Sequence, residues 1–194
     1  MKKGMLIVAA GLMLISVSCK GEKKDEAKPK ATEKTEKVTA KATETKKVKF
    51  ALEPKSDSKV SGNVVFTEKE GKVKMVAIME GLTEGTHAIH IHAKADCSSA
   101  DGKSTGGHWN PTAQPHGKWG ATEGYHKGDI GNFTAEANGQ ATITFETDQW
   151  CIDCDDENKN IVGKAIIVHQ GTDDFVSQPS GAAGARVSCG GIIQ

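Results

Sequence analysis

The chain has 194 residues, with 25 Lys plus Arg against 25 Asp plus Glu, seven His, five Cys and only 5% aromatic residues. That length suits one domain with appendages, and with so few aromatics a cross-link would matter to stability. The charge is unevenly placed: residues 20–47 carry ten Lys against six acids, and residues 48–194 carry thirteen basic side chains against nineteen acidic ones; the folded part is acidic, so no nucleic-acid partner is expected.

At the N-terminus Lys2 and Lys3 precede an apolar run over residues 5–17 that ends in small residues before Cys19. Such a stretch reads as a secretory signal, too short and wrongly flanked to be a stable membrane span. The segment Ile15-Ser16-Val17-Ser18-Cys19 resembles a bacterial lipobox, with Ser16 where Leu is usual. The expectation is a signal over residues 1–18 and a lipid anchor on Cys19. The protein would then be exported to the periplasm or cell envelope and tied to a membrane. Residues 19–47 are Lys, Glu, Thr and Ala with almost no large apolar side chain. They cannot bury enough surface to offset the entropy of ordering, so a disordered tether is expected. Acids interspersed through it argue against binding to nucleic acid or lipid headgroups.

From residue 48 the pattern changes to short alternating runs. Val48, Phe50 and Leu52 alternate, as do Val73, Met75, Ala77 and Met79, with Asn63-Val64-Val65-Phe66 between them. Turn-forming residues separate these runs, and helical periodicity is absent, which predicts an all-β meander or Greek key. Later strands are expected near residues 130–135, 140–147, 164–169 and 185–189, with Asn138-Gly139 as a hairpin turn. Two long stretches break the rhythm, residues 93–128 and 170–184. Loops of that length in a compact domain are usually functional or disordered.

The run Gly85-Thr86-His87-Ala88-Ile89-His90-Ile91-His92 has the period of a strand, which puts His90 and His92 on one face. Four more histidines follow, His108, His116, His126 and His169, with Asp129 three residues after His126. Any one of them alone would be read as an ordinary polar residue. Six in this arrangement point to a metal site rich in nitrogen ligands, which suits copper or zinc. Besides Cys19 there are four cysteines, Cys97 and Cys189 far apart and Cys151 and Cys154 close together. A bond joining the distant pair would close a loop of about 90 residues, worth roughly 4 to 5 kcal/mol in a chain-entropy account.

Several segments together resemble one family. They are residues 85–92, then Gly107-His108-Trp109-Asn110-Pro111, then His126-Lys127-Gly128-Asp129-Ile130-Gly131-Asn132, then Ile166-Ile167-Val168-His169, Asp173-Asp174 and Gly184-Ala185-Arg186-Val187-Ser188-Cys189-Gly190. In this order they resemble an exported bacterial copper/zinc superoxide dismutase over residues 48–194. The resemblance implies an eight-stranded antiparallel Greek-key β-barrel or sandwich with two long functional loops. It further implies copper on His90, His92, His108 and His169, zinc on His108, His116, His126 and Asp129, and His108 bridging the two metals. In the family's cycle copper takes an electron from one superoxide and gives it to a second, and the bridging imidazole carries a proton.

By the same resemblance Asp173 would link His90 with His116, and Cys97 would bond Cys189. Arg186, the only arginine in the chain, would attract and orient the superoxide anion. His87 is left for a structural hydrogen bond. Bacterial members include monomers and dimers, so a homodimer is among the expected assemblies.

Two features depart from the family. Residues 150–158, Trp-Cys-Ile-Asp-Cys-Asp-Asp-Glu-Asn, occupy a place where a short loop without Cys-x-x-Cys is usual. A local disulfide, a free thiol pair and a small metal site are all open, the disulfide being favoured. A calcium loop is rejected, because Asn158 and Lys164 stand where Gly and a bidentate Glu are needed. Residues 170–184 contain no Lys, which leaves Arg186 to provide most of the anion guidance. A metal-storing lipoprotein would need neither a bridging histidine nor an anion guide, and a structural β-sandwich adhesin gives no reason for six histidines in these places.

Overall fold

The computed structural model describes residues 44–193. The signal segment, Cys19 and nearly all of the tether lie outside the described residues. Eight strands run in chain order: β1 Lys46–Pro54, β2 Ser61–Lys69, β3 Lys72–Glu80, β4 Gly85–His92, β5 Gly131–Ala135, β6 Ala141–Thr147, β7 Ala165–His169 and β8 Arg186–Gly191. All pairings are antiparallel, and the strands follow the order β5-β4-β7-β8-β1-β2-β3-β6 in a nearly closed barrel.

Period-2 patterning sets the inner face. In β3 the side chains of Val73, Met75, Ala77 and Met79 are buried while Lys72, Lys74, Ile78 and Glu80 are exposed. These pack with Val64, Phe66, Ile89, Ile91 and Ile166, and Phe66 meets Trp150 edge-on at 6.0 Å between ring centroids. Strands β4 and β7 are buried on both faces, since Ile89 and Ile91 face the core while His90 and His92, on the opposite face, lie beneath the long loops.

Two expectations are corrected. Strand β1 starts at Lys46, so Lys46 and Lys47 belong to the barrel and not to the tether; Lys46 pairs in register with Glu68, and its Nζ donates to the carbonyls of Ile152 and Asp153. Asn138-Gly139 does form a turn, with Gly139 at φ 79°, but it does not close a laddered hairpin. Leu82 N–H donates to Gly139 O, which pins the turn to the β3–β4 connection, and β6 then pairs with β3 while β5 pairs with β4.

The Cys97–Cys189 disulfide has Cα atoms 5.9 Å apart and spans 92 positions. It anchors the long loop after β4 to β8. Cys151 and Cys154 are bonded to each other, as the favoured reading of that segment expected.

Candidate metal centre

Strand β4 supplies His90 and His92, and its neighbour β7 ends in His169. A bulge between Val168 and His169 sets His169 opposite Arg186 in β8, re-aiming both side chains. The loop over residues 93–130 returns to β4 where His92 and His108 form an isolated antiparallel bridge, reinforced by Trp109 N–H donating to Ile91 O at 2.8 Å. This brings His108 over the His-x-His pair, with the His90 and His108 rings 4.0 Å apart between centroids.

Two groups of four side chains result, each with ligand atoms within 4.8 Å of one another: His90, His92, His108 and His169, and His108, His116, His126 and Asp129. All seven residues are buried, and His108 belongs to both groups. Every side chain expected to ligate a metal therefore converges.

Hydrogen bonding shows which nitrogens are free. His90 Nε2 lies 2.8 Å from Asp173 Oδ2 and His92 Nδ1 lies 2.9 Å from Gly106 O. Carboxylate and carbonyl oxygens only accept, so those nitrogens carry the protons and the opposite nitrogens carry lone pairs. Those opposite atoms, His90 Nδ1 and His92 Nε2, are buried without partners, as are His108 Nε2 and both His169 nitrogens, while His116 Nδ1 and His126 Nδ1 face only Asp129, at 3.1 and 3.3 Å. Buried polar atoms are rarely left unsatisfied. One nitrogen from each of six imidazoles, gathered with Asp129 into two groups of four, fits a pair of cations. Among the described residues no cysteine joins either group, and four nitrogens suit copper while three nitrogens and a carboxylate suit zinc.

Asp173 is buried and spans the groups, with Oδ2 at His90 and Oδ1 2.9 Å from His116 Nε2. A mutual pair of bonds holds it, Asp173 N–H to Asn132 Oδ1 and Asn132 Nδ2 to Asp173 O, each at 2.8 Å. Asp174 is exposed and caps its own turn through Ser177. Asp129 accepts from the backbone N–H of His126 at 2.8 Å and of Gly117 at 3.2 Å, and its Oδ1 lies 2.8 Å from His108 Nδ1.

Burial works against both carboxylates, but hydrogen bonds from His108, His116 and His126 hold Asp129 well below the usual carboxylate range, and bonds from His116 and His90 do the same for Asp173. His116 is also opposed by burial, yet Asp129 and Asp173 together push it up to about 9. His108 is lowered to about 4, chiefly by burial, and His92 and His169 are lowered by burial and by neighbouring imidazoles.

These directions predict a pH dependence for the metal-free protein. The raised His116 contributes stability that is complete below its ordinary value near 6.5 and is lost as pH climbs through about 9. Zinc affinity should change in the opposite sense, because the His116 proton must leave before the ring can ligate. Chelator competition should show it tightening by about tenfold per pH unit between roughly pH 7 and 9 and levelling above. A flat profile across that window would contradict the Asp129–His116–Asp173 arrangement.

Arg186 lines a cavity of about 550 Å³ together with His92, His108 and His169. Its Nη1 donates to Gly102 O at 2.9 Å and to Thr105 Oγ1 at 3.0 Å, and the fully buried Thr105 hydroxyl donates to Gly102 O. The same cavity is lined by Lys103, paired with Asp101 at 3.0 Å. Arg186 is therefore not the sole cation at the mouth; the second comes from residues 103–105, a short 3-10 turn in the loop before His108, and not from residues 170–184.

His87 is buried outside both groups and bridges loops, with Nδ1 3.1 Å from His169 O and Nε2 2.8 Å from Thr83 O. Sequence reasoning missed Gln178 and Gly181. Gln178 Oε1 accepts from His116 N–H and its Nε2 donates to His116 O, fixing that ring's backbone. Gly181, at φ 67°, sits where a Cβ would overlap Asp173 Oδ1. Neither has a local signature, because each is required by a partner more than sixty or about eight positions away.

Comparison with known proteins gives a consistent result. The family model described as copper/zinc superoxide dismutase matches residues 60–192. A Cu-Zn superoxide dismutase of Caulobacter vibrioides is 36% identical over 140 residues, covering 70% of this chain and 80% of that protein. Among solved structures, a double mutant of a SOD-like protein from Bacillus subtilis superposes with a TM-score of 0.66 at 28% identity, covering 75% of this chain and 97% of that one.

Proposed function

The chain belongs to the copper/zinc superoxide dismutase family, and from that premise we propose how its own residues divide the work. It is an enzyme that dismutates superoxide and uses copper and zinc. His90, His92, His108 and His169 would hold copper, and His116, His126 and Asp129 would hold zinc together with the shared His108. The supporting observation is that His108 alone belongs to both groups, with Nδ1 against Asp129 and an unpartnered Nε2 facing the other imidazoles.

Copper held there supplies the one-electron oxidation of one superoxide and reduction of another. Arg186 draws the anion into the cavity and orients it through a fixed guanidinium. His108 Nε2 would carry a proton whenever it is not a ligand and could give it to the peroxide product, whose second proton would come from water. Its Nδ1 side stays fixed throughout, which keeps the proton aimed at the cavity. Asp173 orients His90 and His116 by accepting from the ring nitrogen remote from each metal.

Proton counting tests the bridge. Burial holds His92 and His169 well below their ordinary value and His90 Nδ1 is unpartnered, so copper added to the zinc-loaded protein should release about one proton at pH 7.5 if His108 gives up its last one. The His108→Ala variant should release none and lose dismutation. Copper uptake without proton release in the unaltered protein would sink the bridging assignment.

The run ending at Cys19 supports a lipid anchor there, export to the periplasm or cell envelope, and attachment to a membrane. Metabolic labelling with a palmitate analogue should mark the unaltered protein and not Cys19→Ser. A homodimer is one of the assemblies the family suggests, and light scattering on the purified chain would report it as a doubled mass.

A further inference from the structure

The Cys151–Cys154 disulfide plays no part in the chemistry above; like Cys97–Cys189 it joins one buried cysteine to one half-buried one, and it differs in the length of chain it closes and in the side chains around it. Cys189 is fully buried, clustered with Ala165 and Ile167, and its bond spans 92 positions. The second bond spans three, so it constrains little chain. Cys151 is 8% exposed, while Cys154 is half-buried with exposed residues on both sides of it in the chain.

The loop does not depend on the bond for its shape. Cys151 N–H donates to Lys159 O at 2.8 Å and Ile161 N–H to Cys151 O at 3.1 Å. Ile152 N–H donates to Glu68 Oε2 at 2.7 Å, Trp150 Nε1–H to Lys127 O at 2.8 Å, and Lys46 Nζ to the carbonyls of Ile152 and Asp153. Opening the bond would leave two thiols held as neighbours on a fixed backbone, ready to close again. We propose that Cys151–Cys154 is a second, redox-active site, exchanging with dithiols through Cys154 and selecting against anionic ones.

A thiolate of the incoming dithiol attacks Cys154 Sγ, the bond to Cys151 breaks, and the Cys151 sulfur leaves as a thiolate that takes a proton from water. The second thiol of the reagent then attacks the mixed disulfide, freeing Cys154 as its thiol and closing the reagent's own disulfide. Two electrons have passed to the protein pair, and an oxidised dithiol reverses the sequence. Attack at Cys154 is favoured by access alone.

Selection comes from charge. Asp153, Asp155, Asp156 and Glu157 are exposed around Cys154, and these four carboxylates outnumber the nearby Lys46 and Lys159, whose ammonium groups are turned onto the carbonyls of Ile152, Asp153 and Asp148 and offset part of their charge. This collar repels an anionic thiol such as glutathione and admits neutral dithiothreitol or cationic cysteamine. A protein partner would need a basic rim around its own dithiol.

The test uses the full-length, metal-loaded protein, with alkylation of released thiols and peptide mass analysis. Under limiting dithiothreitol both Cys151 and Cys154 should be labelled while Cys97–Cys189 stays closed. Cysteamine should open the pair about tenfold faster than glutathione at low ionic strength, with the difference fading at high salt as screening sets in. In Cys151→Ser the remaining Cys154 should alkylate readily, and in Cys154→Ser the remaining Cys151 should not. Opening of Cys97–Cys189 at the same or lower reductant, equal rates with the two monothiols at low salt, or equal labelling in the two variants would each overturn the proposal.

Discussion

Replacing Arg186 with Glu is expected to slow dismutation by about 10- to 1000-fold at low ionic strength, the range over which charge in a cleft alters encounter with an ion, in work to which this enzyme family itself contributed. Copper content should be unchanged. The physical case rests on where the guanidinium is held: one nitrogen is tied to Gly102 O and Thr105 Oγ1, which aims the rest of the fork into the cavity shared with His92, His108 and His169. The described domain is acidic, so a local cation does more here than it would on a basic protein. Reversing it puts a carboxylate beside Asp101 at the same mouth. Lys103 remains, but it is paired with Asp101, so it offsets only part of the loss. Raising the salt concentration should narrow the gap between variant and unaltered protein. A rate within twofold of the original at low salt, with copper bound, would remove Arg186 from the reaction.

Withdrawing both metals should lower the midpoint of thermal unfolding by roughly 15–30 °C. Each site bound at about a thousand times its Kd adds about 4 kcal/mol, and a domain of this size shifts by about 2–4 °C per kcal/mol. The loss is large because buried nitrogens of six imidazoles would be left without a cation to satisfy them and because both long loops are tied to the barrel through these side chains. Zinc alone should restore more than half of it. His116, His126 and Asp129 all come from the loop over residues 93–130, and zinc held by them would close that loop on itself while Asp173 and Gln178 connect it to residues 170–184. Calorimetry after dialysis against a chelator, then after stepwise zinc and copper addition, gives the measurement. A drop below about 5 °C would mean that hydrogen bonds already hold the loops without metal.

All eight strands were legible as alternation or as short apolar runs, because a strand with one face in a core writes period 2 directly into the chain. The His90–Ile91–His92 triplet was legible for the same reason: alternate residues of one strand share a face wherever that strand ends up. The division of the remaining histidines between copper and zinc came from resemblance to a family and not from spacing. The Asn138-Gly139 turn was visible, but its pairing was not, since Leu82 and Gly139 meet across fifty-seven positions and local residue preference does not encode that contact.

The sequence by itself determined the all-β character, the metal-binding chemistry of its six histidines and Asp129, and the family. Tertiary structure decided what depends on distance through space. It put Lys103 in the cavity of Arg186, set Gln178 on the backbone of His116, required a glycine at 181 to make room for Asp173, and left Cys154 half-buried while sealing its partner Cys151. The first two relations join residues far apart in the chain, and no periodicity or motif reports any of the four, because the energies involved exist only once the loops have packed against the barrel.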